Sequence, residues 1–399
     1  PDGLRDPPER RTAGPVNVER THGDGPRRGG ILIAGGGTAG HVLPGLAVAA
    51  ALVERGVVAS RTDVHLVGSR RGVEVDLVPG AGFGLTVLGG RGIQRRLTPV
   101  NVVALMGLLV GFLRAFLLLV RVRPRVVLSL GGYASIPCGL AAVVLRVPLV
   151  VAEQNAVPGA ANRLLGRFAR ACAVSFADTA LPRPDLTGNP VRAAIRSAVG
   201  SRSEARDRIG VDDRPLLVAF GGSLGARRIN RAMANFVEGW SGAPLVVHHV
   251  VGDRGWVTGE MATVVPAEVE YSAVAYEHDM PTLLAAADLV VCRSGATSVA
   301  ELAVLGIPSV LVPLPGAPGD HQTANARHLA GTGGAVLLPD ADLDGSALEE
   351  VLGELLSDSG RRDAMAEAAR SVAIPDAADR VVDLILRHAA GRCDDVRDA

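Results

Sequence analysis

The stretch Ile31-Leu32-Ile33-Ala34-Gly35-Gly36-Gly37-Thr38-Ala39-Gly40-His41 decides the fold. Four apolar residues in unbroken succession describe a strand buried on both faces, the habit of parallel sheets. The strand runs into three glycines, and the residues from Pro44 to Arg55 have helical spacing. Strand, glycine turn and helix form the opening unit of a doubly wound α/β domain. The same unit recurs far along the chain, where Pro215-Leu216-Leu217-Val218-Ala219-Phe220 runs into Gly221-Gly222-Ser223-Leu224-Gly225-Ala226.

Working outward from each opening, further apolar runs read as strands. After the first come Val64 to Val67, Arg125 to Leu130 (ahead of Gly131-Gly132) and Pro148 to Val151. After the second come Leu245 to Val247, Leu289 to Val291 and Ser309 to Val312. Pro184 to Pro190 reads as a polar connector between the halves. The fold class is α/β, with two Rossmann-like doubly wound domains. Ligands of such sheets bind beyond the carboxyl ends of the strands, which places a substrate in a cleft between two facing halves. Residues 1–29, rich in Pro, Gly, Arg and Asp, read as a disordered extension. The first domain is expected over 30–190, and the second over 191–374.

Composition narrows the function. The chain has 399 residues, of which 48% are hydrophobic and 21% charged, and its 41 basic side chains balance 41 acidic ones. So apolar a chain is not disordered, and it lacks the basic excess of a nucleic-acid binder. Every one of the 41 basic residues is arginine. Cys138, Cys172, Cys292 and Cys393 are widely spaced and form no C-x-x-C pair, so neither disulfides nor a zinc site is expected. No secretory signal pattern is visible at the N-terminus.

Val102 to Val120 is nearly all apolar but carries Arg114 at its middle. It approaches the ~20 residues that cross a bilayer, yet a central arginine costs about 2.5–3.5 kcal/mol there. A helix with one face in the core and one toward lipid fits better. Arg91, Arg95 and Arg96 precede it and Arg121, Arg123 and Arg125 follow. Flanking arginines suit anionic headgroups, and equally a solvated rim around a core helix.

The chemistry-bearing residues lie in loops at strand ends. Gly35, Gly37 and Gly40 match the dinucleotide spacing G-x-G-x-x-G, but the second strand ends in Gly68-Ser69-Arg70-Arg71 without the expected carboxylate. Those arginines leave open an NADP-dependent oxidoreductase. His41 stands where loop meets helix and can act as a base at neutral pH, or merely cap and fill. In the second half Ser223 can donate to a phosphate. Glu301 follows the small-residue run Arg293 to Ala300 and can accept two ribose hydroxyls, or lie idle on a helix surface. Asp320-His321-Gln322-Thr323 can cap a helix or bind sugar hydroxyls. No metal constellation emerges, since the histidines do not fall at ligand spacings and His248-His249 on a strand point oppositely.

Seven motifs in order, GGGTAGHVLP, SLGGYASIP, AEQNAVPGAAN, TGNPVR, FGGSLGARRIN, CRSGATSVAEL and DHQTANA, closely resemble the MurG family of N-acetylglucosaminyltransferases. The resemblance covers residues 30 to 390 and implies the GT-B fold, with a last helix over 375–390 returning to the first domain. It implies inverting transfer of N-acetylglucosamine from UDP-GlcNAc to the C4 hydroxyl of MurNAc in undecaprenyl-pyrophosphoryl-MurNAc-pentapeptide, with no metal and no cofactor. It further implies a peripheral location on the cytoplasmic face of the cell membrane, an anionic membrane surface as partner, other cell-wall synthesis proteins as partners, and no nucleic acid.

By motif, His41 corresponds to a general base or acceptor-positioning residue, and Thr38, Ala39 and Gly40 approach the donor. Asn155 meets the sugar, Arg192 the donor, and Ser223 a phosphate oxygen. Glu277 touches uracil through its backbone. Ala296, Thr297, Ser298, Val299, Ala300 and Glu301 hold diphosphate and ribose, and Gln322 holds sugar hydroxyls. Tyr133 lies in the acceptor region. Two positions depart from the family pattern: Ala152 replaces a frequent histidine, and Thr323 a second glutamine. The rival readings are the oxidoreductase, an integral membrane protein anchored by residues 102–120, and another GT-B enzyme such as a macrolide-type transferase or a UDP-GlcNAc epimerase.

Overall fold

A computed structural model describes residues 29–70, 72–88, 100–222, 225–343 and 345–389. Residues 1–28, Arg71, Arg91, Arg95, Arg96, Ser223 and Cys393 lie outside them. The described residues form two compact units, 29–192 with 374–389, and 193–373.

The first unit is built on seven parallel strands: β1 (Ile31–Gly35), β2 (Val64–Ser69), β3 (Gly84–Leu88), β4 (Val126–Gly131), β5 (Leu149–Glu153), β6 (Ala171–Val174) and β7 (Pro184–Leu186). Their order is β3-β2-β1-β4-β5-β6-β7. The connecting helices are α1 (Ala39–Glu54), α2 (Glu74–Gly80), α3 (Val100–Val122), α4 (Ser135–Val144) and α5 (Ala160–Gly166). Alternation along β1 divides the core. Leu32 and Ala34 pack with Val127, Val151 and residues of α3 and α4, while Ile31 and Ile33 pack with Leu128, Val150 and residues of α1 on the opposite face. Both faces are therefore covered, which is why the strands read as unbroken apolar runs.

The second unit opens with α6 (Ala193–Ser197) and α7 (Arg202–Ile209), then alternates β8 (Leu216–Phe220), α8 (Arg227–Gly239), β9 (Leu245–Val250), α9 (Gly252–Thr258), β10 (Val269–Val274), α10 (Met280–Ala286), β11 (Leu289–Cys292), α11 (Ala296–Leu305), β12 (Ser309–Leu311), α12 (His321–Gly331) and β13 (Ala335–Leu337). It closes with α13 (Gly345–Ser357) and α14 (Ser359–Ser371). The strands are parallel in the order β10-β9-β8-β11-β12-β13. A last helix, α15 (Ala377–Ala389), belongs to the first unit: Val381, Val382, Leu384 and Ile385 are wholly buried in the core cluster of Ile31, Ile33, Val48 and Leu52.

Helix α1 begins at Ala39, where the glycine loop runs directly into it, and Pro44 sits inside its second turn. Two details depart from the pattern-based reading. The connector at Pro184 contains the edge strand β7, where proline is tolerated at the first position of an edge. Strands β3, β6, β10 and β13 carry no clear apolar run, being short, half-exposed or made of small residues.

Helix α3 is two-faced. Ala115, Leu119 and Val122 are buried, whereas Leu109, Leu113 and Leu117 stand 52%, 52% and 66% exposed. Among the described residues no helix is long and apolar enough to cross a membrane. Cys138, Cys172 and Cys292 are buried free thiols, and burial pushes Cys138 up to about 12, leaving it a small core residue without thiolate chemistry.

Candidate active site

In the first unit the site is built from the loops after β1, β4 and β5. Gly37 adopts φ +96°, a conformation that favours glycine. It turns the chain so that Thr38 becomes the extended N-cap of α1, its carbonyl accepting the N–H groups of His41 and Val42 at 3.1 and 3.2 Å. The Thr38 hydroxyl lies 3.1 Å from Nδ1 of His41. Ala39 and Gly40 are the first residues of the helix between them. The β4 loop closes the other side: a Cβ on Gly131 would stand 3.3 Å from both His41 Nε2 and Asn162 Nδ2, and one on Gly132 would overlap the carbonyl of Gly36. The half-buried imidazole of His41 therefore has Nδ1 against Thr38 and Nε2 beside the backbone of Gly131.

The β5 loop is organised by Glu153, a buried carboxylate. It accepts the N–H and side-chain amide of Asn155 at 3.0 and 3.2 Å, the N–H of Gly159 at 2.9 Å and the Asn162 amide at 2.9 Å. A buried charge persists only when its lone pairs are satisfied, and four donors satisfy these. Asn162 also donates to the carbonyl of Ala152. At that position the side chain is buried in the core cluster of α15, so the alanine leaves the backbone contact intact. Tyr133 is half-buried, its hydroxyl near Gly111 of α3 without a hydrogen-bond partner among the described residues, and burial raises its pKa. Arg192 is half-buried at the end of this unit's first segment.

The second unit gathers Ala296 to Glu301 and Gln322 around the start of α11. First-turn N–H groups of a helix have no partners within it and attract anions. Thr297 adds a buried hydroxyl with no partner among the described residues. Glu301 is not a surface glutamate: it is only 6% exposed. The Ser294 hydroxyl donates to the carbonyl of Gln322 at 2.8 Å, and the Asn325 amide to that of Ser294. Gln322 Oε1 accepts the Leu314 N–H at 2.9 Å, which fixes the orientation of the amide. Thr323 donates to Asp320 at 2.7 Å. Asp320 is the N-cap residue of α12 but makes no side-chain bond to the helix N–H groups. Glu277 accepts the Asp279 N–H with Oε1, while Oε2 lies 3.2 Å from His248 Nε2, so its carboxylate is committed to the protein.

Four residues escaped pattern reading because their roles arise from tertiary contact. Asn162 stands inside a quoted motif, which is the one signal it offered. Asn230, on α8, donates to Val251 carbonyl at 2.9 Å and to Glu260, and lies 3.2 Å from Nε2 of His249, whose Nδ1 meets Tyr271. Desolvation, reinforced by neighbouring His248, pushes His249 down to about 3. Arg228 pairs with Asp340 at 3.2 Å and donates to the carbonyls of Ala341 and Leu343. Arg293 pairs with Asp340 at 2.6 Å. Among the described residues no group of three or more His, Cys, Asp or Glu could hold a metal.

Residues 31–174 match the glycosyltransferase family 28 N-terminal domain and residues 216–381 its C-terminal domain. The chain is 39% identical over 370 residues to the UDP-N-acetylglucosamine--N-acetylmuramyl-(pentapeptide) pyrophosphoryl-undecaprenol N-acetylglucosamine transferase of Desulforudis audaxviator, covering 89% of this chain and 97% of that protein. The chain belongs to the MurG family. The enzyme of the same name from Xanthomonas euvesicatoria is 40% identical, over 90% of this chain and 81% of its own. The crystal structure of Acinetobacter baumannii MurG matches with a TM-score of 0.71 at 29% identity, over 90% of this chain and 99% of that one. As a MurG-family chain with two parallel sheets it has the GT-B fold. It is a UDP-GlcNAc-dependent hexosyltransferase rather than an oxidoreductase.

Proposed function

We propose that the chain transfers N-acetylglucosamine from UDP-GlcNAc to the C4 hydroxyl of MurNAc in undecaprenyl-pyrophosphoryl-MurNAc-pentapeptide, with inversion and without a metal. The observation that carries this is the near full-length match to enzymes named for that reaction.

The chain's own groups divide the work. With Nδ1–H donating to Thr38, the neutral imidazole of His41 keeps its lone pair on Nε2. That nitrogen takes the proton of the acceptor hydroxyl as its oxygen bonds to the sugar C1 and the bond from C1 to the diphosphate breaks. The electron pair leaves with UDP. Its charge is met by the α11 N-terminus, the Thr297 hydroxyl and the loop containing Ser223. Glu301 accepts the ribose hydroxyls, Gln322 and Asn155 orient the sugar, Arg192 contacts the donor and the Glu277 backbone meets uracil. Tyr133 supports the acceptor side.

We further infer peripheral attachment to the cytoplasmic face of an anionic membrane. The exposed apolar side of α3, with Arg114 and Arg121 on the same helix, supports it.

The test is transfer of labelled GlcNAc from UDP-GlcNAc to a short-chain lipid-linked MurNAc-pentapeptide, with UDP-glucose and UDP-GalNAc as controls and EDTA in a parallel reaction. Transfer specific to UDP-GlcNAc and insensitive to EDTA is expected. Equal use of the three donors, or no transfer to that acceptor, would overturn the reading.

A further inference from the structure

The head of α1 has the form of an anion site, a glycine turn feeding a helix N-terminus. An internal carboxylate holds the turn that leads into it. Glu74, at the start of α2 and 1% exposed, accepts the Gly37 N–H with both oxygens at 3.1 and 3.0 Å. One of those oxygens also accepts the Ser69 N–H at 2.6 Å and the Ser69 hydroxyl at 2.7 Å. Three glycines make the room: a Cβ on Gly36, Gly68 or Gly72 would overlap the Glu74 side chain. The glycines around this turn, Gly36 in the loop and Gly68 and Gly72 beside it, are thus matched to a carboxylate of the protein itself.

The consequence reaches His41. Gly37 takes a positive φ of +96° between β1 and α1, and its N–H is the group Glu74 holds. The next residue, Thr38, supplies both the helix cap and the hydroxyl against Nδ1 of His41. We propose that Glu74 is a positioning residue for the transfer reaction, holding the Gly37-Thr38 turn in the one conformation that orients His41. This rests on the reading of His41 as the base.

The test is a double-mutant cycle on kcat with Glu74→Gln, His41→Ala and the pair. Glutamine preserves shape but turns an amide donor toward the Gly37 or Ser69 donors. Glu74→Gln alone is expected to lower kcat by about 10–100-fold, the effect of a small misplacement of a reacting group, with KM for UDP-GlcNAc within about twofold. In the His41→Ala background the same change is expected to have no further effect, because its route is already cut. A loss of equal size in both backgrounds, or none in either, overturns the proposal while leaving His41 in its role. Near-normal kcat for His41→Ala alone overturns the role of His41 and the proposal with it. Should Glu74→Gln fail to fold, Ser69→Ala, which removes one donor and keeps the carboxylate, decides by the same criterion: a smaller loss confined to the His41 background supports the proposal, and any other pattern overturns it.

Discussion

Nδ1 of His41 lies 3.1 Å from the hydroxyl of Thr38, within one turn at the head of α1. A hydroxyl that accepts from Nδ1–H leaves the Nε2 lone pair for the proposed role as base. His41→Ala is expected to lower kcat by about 10²–10⁴-fold, with a far smaller change in KM for UDP-GlcNAc. Steady-state kinetics with the lipid-linked acceptor decide it, and near-normal turnover would end the assignment.

Glu301 is buried beside the start of α11 rather than solvated. A charged acceptor on two ribose hydroxyls is worth about 1.5–3 kcal/mol. Glu301→Gln should therefore raise KM for UDP-GlcNAc by about tenfold or more and leave saturated kcat much less affected. An unchanged KM would return Glu301 to a packing role.

On α3, Leu113→Glu with Leu117→Glu alters two side chains 52% and 66% exposed. Folding stability should stay within about 0.5 kcal/mol for each change. Sedimentation with anionic vesicles should fall, along with turnover of acceptor embedded in them, while turnover of a short-chain soluble acceptor holds. Undiminished vesicle binding would place the membrane contact elsewhere.

The strand and glycine turn at Ile31 to Gly37 are plain in the sequence, since unbroken apolar runs and glycines are local signals. Pro184 misled, because whether a proline ends a strand or begins an edge depends on a neighbour, here Cys172. The contact of Glu74 gives no local signal: its partner Gly37 is 37 residues away, joined to it only once β1 and β2 lie side by side. Glu301 stands out as a candidate by its spacing after small residues, while its burial belongs to the packed unit.

Asp288 accepts the Leu216 N–H at 2.8 Å and pairs with Arg206 at 2.9 Å and with Arg202. Arg206 in turn donates to the carbonyls of Ala286, Asp212 and Arg214. Removing one partner strands the other in a buried place. Asp288→Ala should cost about 3–5 kcal/mol, read by urea unfolding; a loss below 1 kcal/mol would show that the network relaxes into water.

Burial pushes His65 down to about 4 and His249 down to about 3, from 6.5. Above pH 6.5 both are neutral whether folded or unfolded. Below it the unfolded chain binds protons that the folded chain refuses, so stability falls as pH drops toward 4, by about 1.4 kcal/mol per pH unit for each histidine. His65→Gln, which keeps a polar group for Thr86, should flatten the unfolding free energy against pH by that amount per unit. A slope equal to that of the parent chain would refute it.

The membership of α15 in the first unit sets an order of events during synthesis. When the ribosome has finished residue 192, the sheet of that unit still lacks Val381, Val382, Leu384 and Ile385 on one face. The whole of residues 193–373 must be made before that face can be covered. Nascent chains therefore carry a bare apolar flank while all of residues 193–373 are made, the kind of surface that holding chaperones occupy, and the unit begun first is the unit completed last.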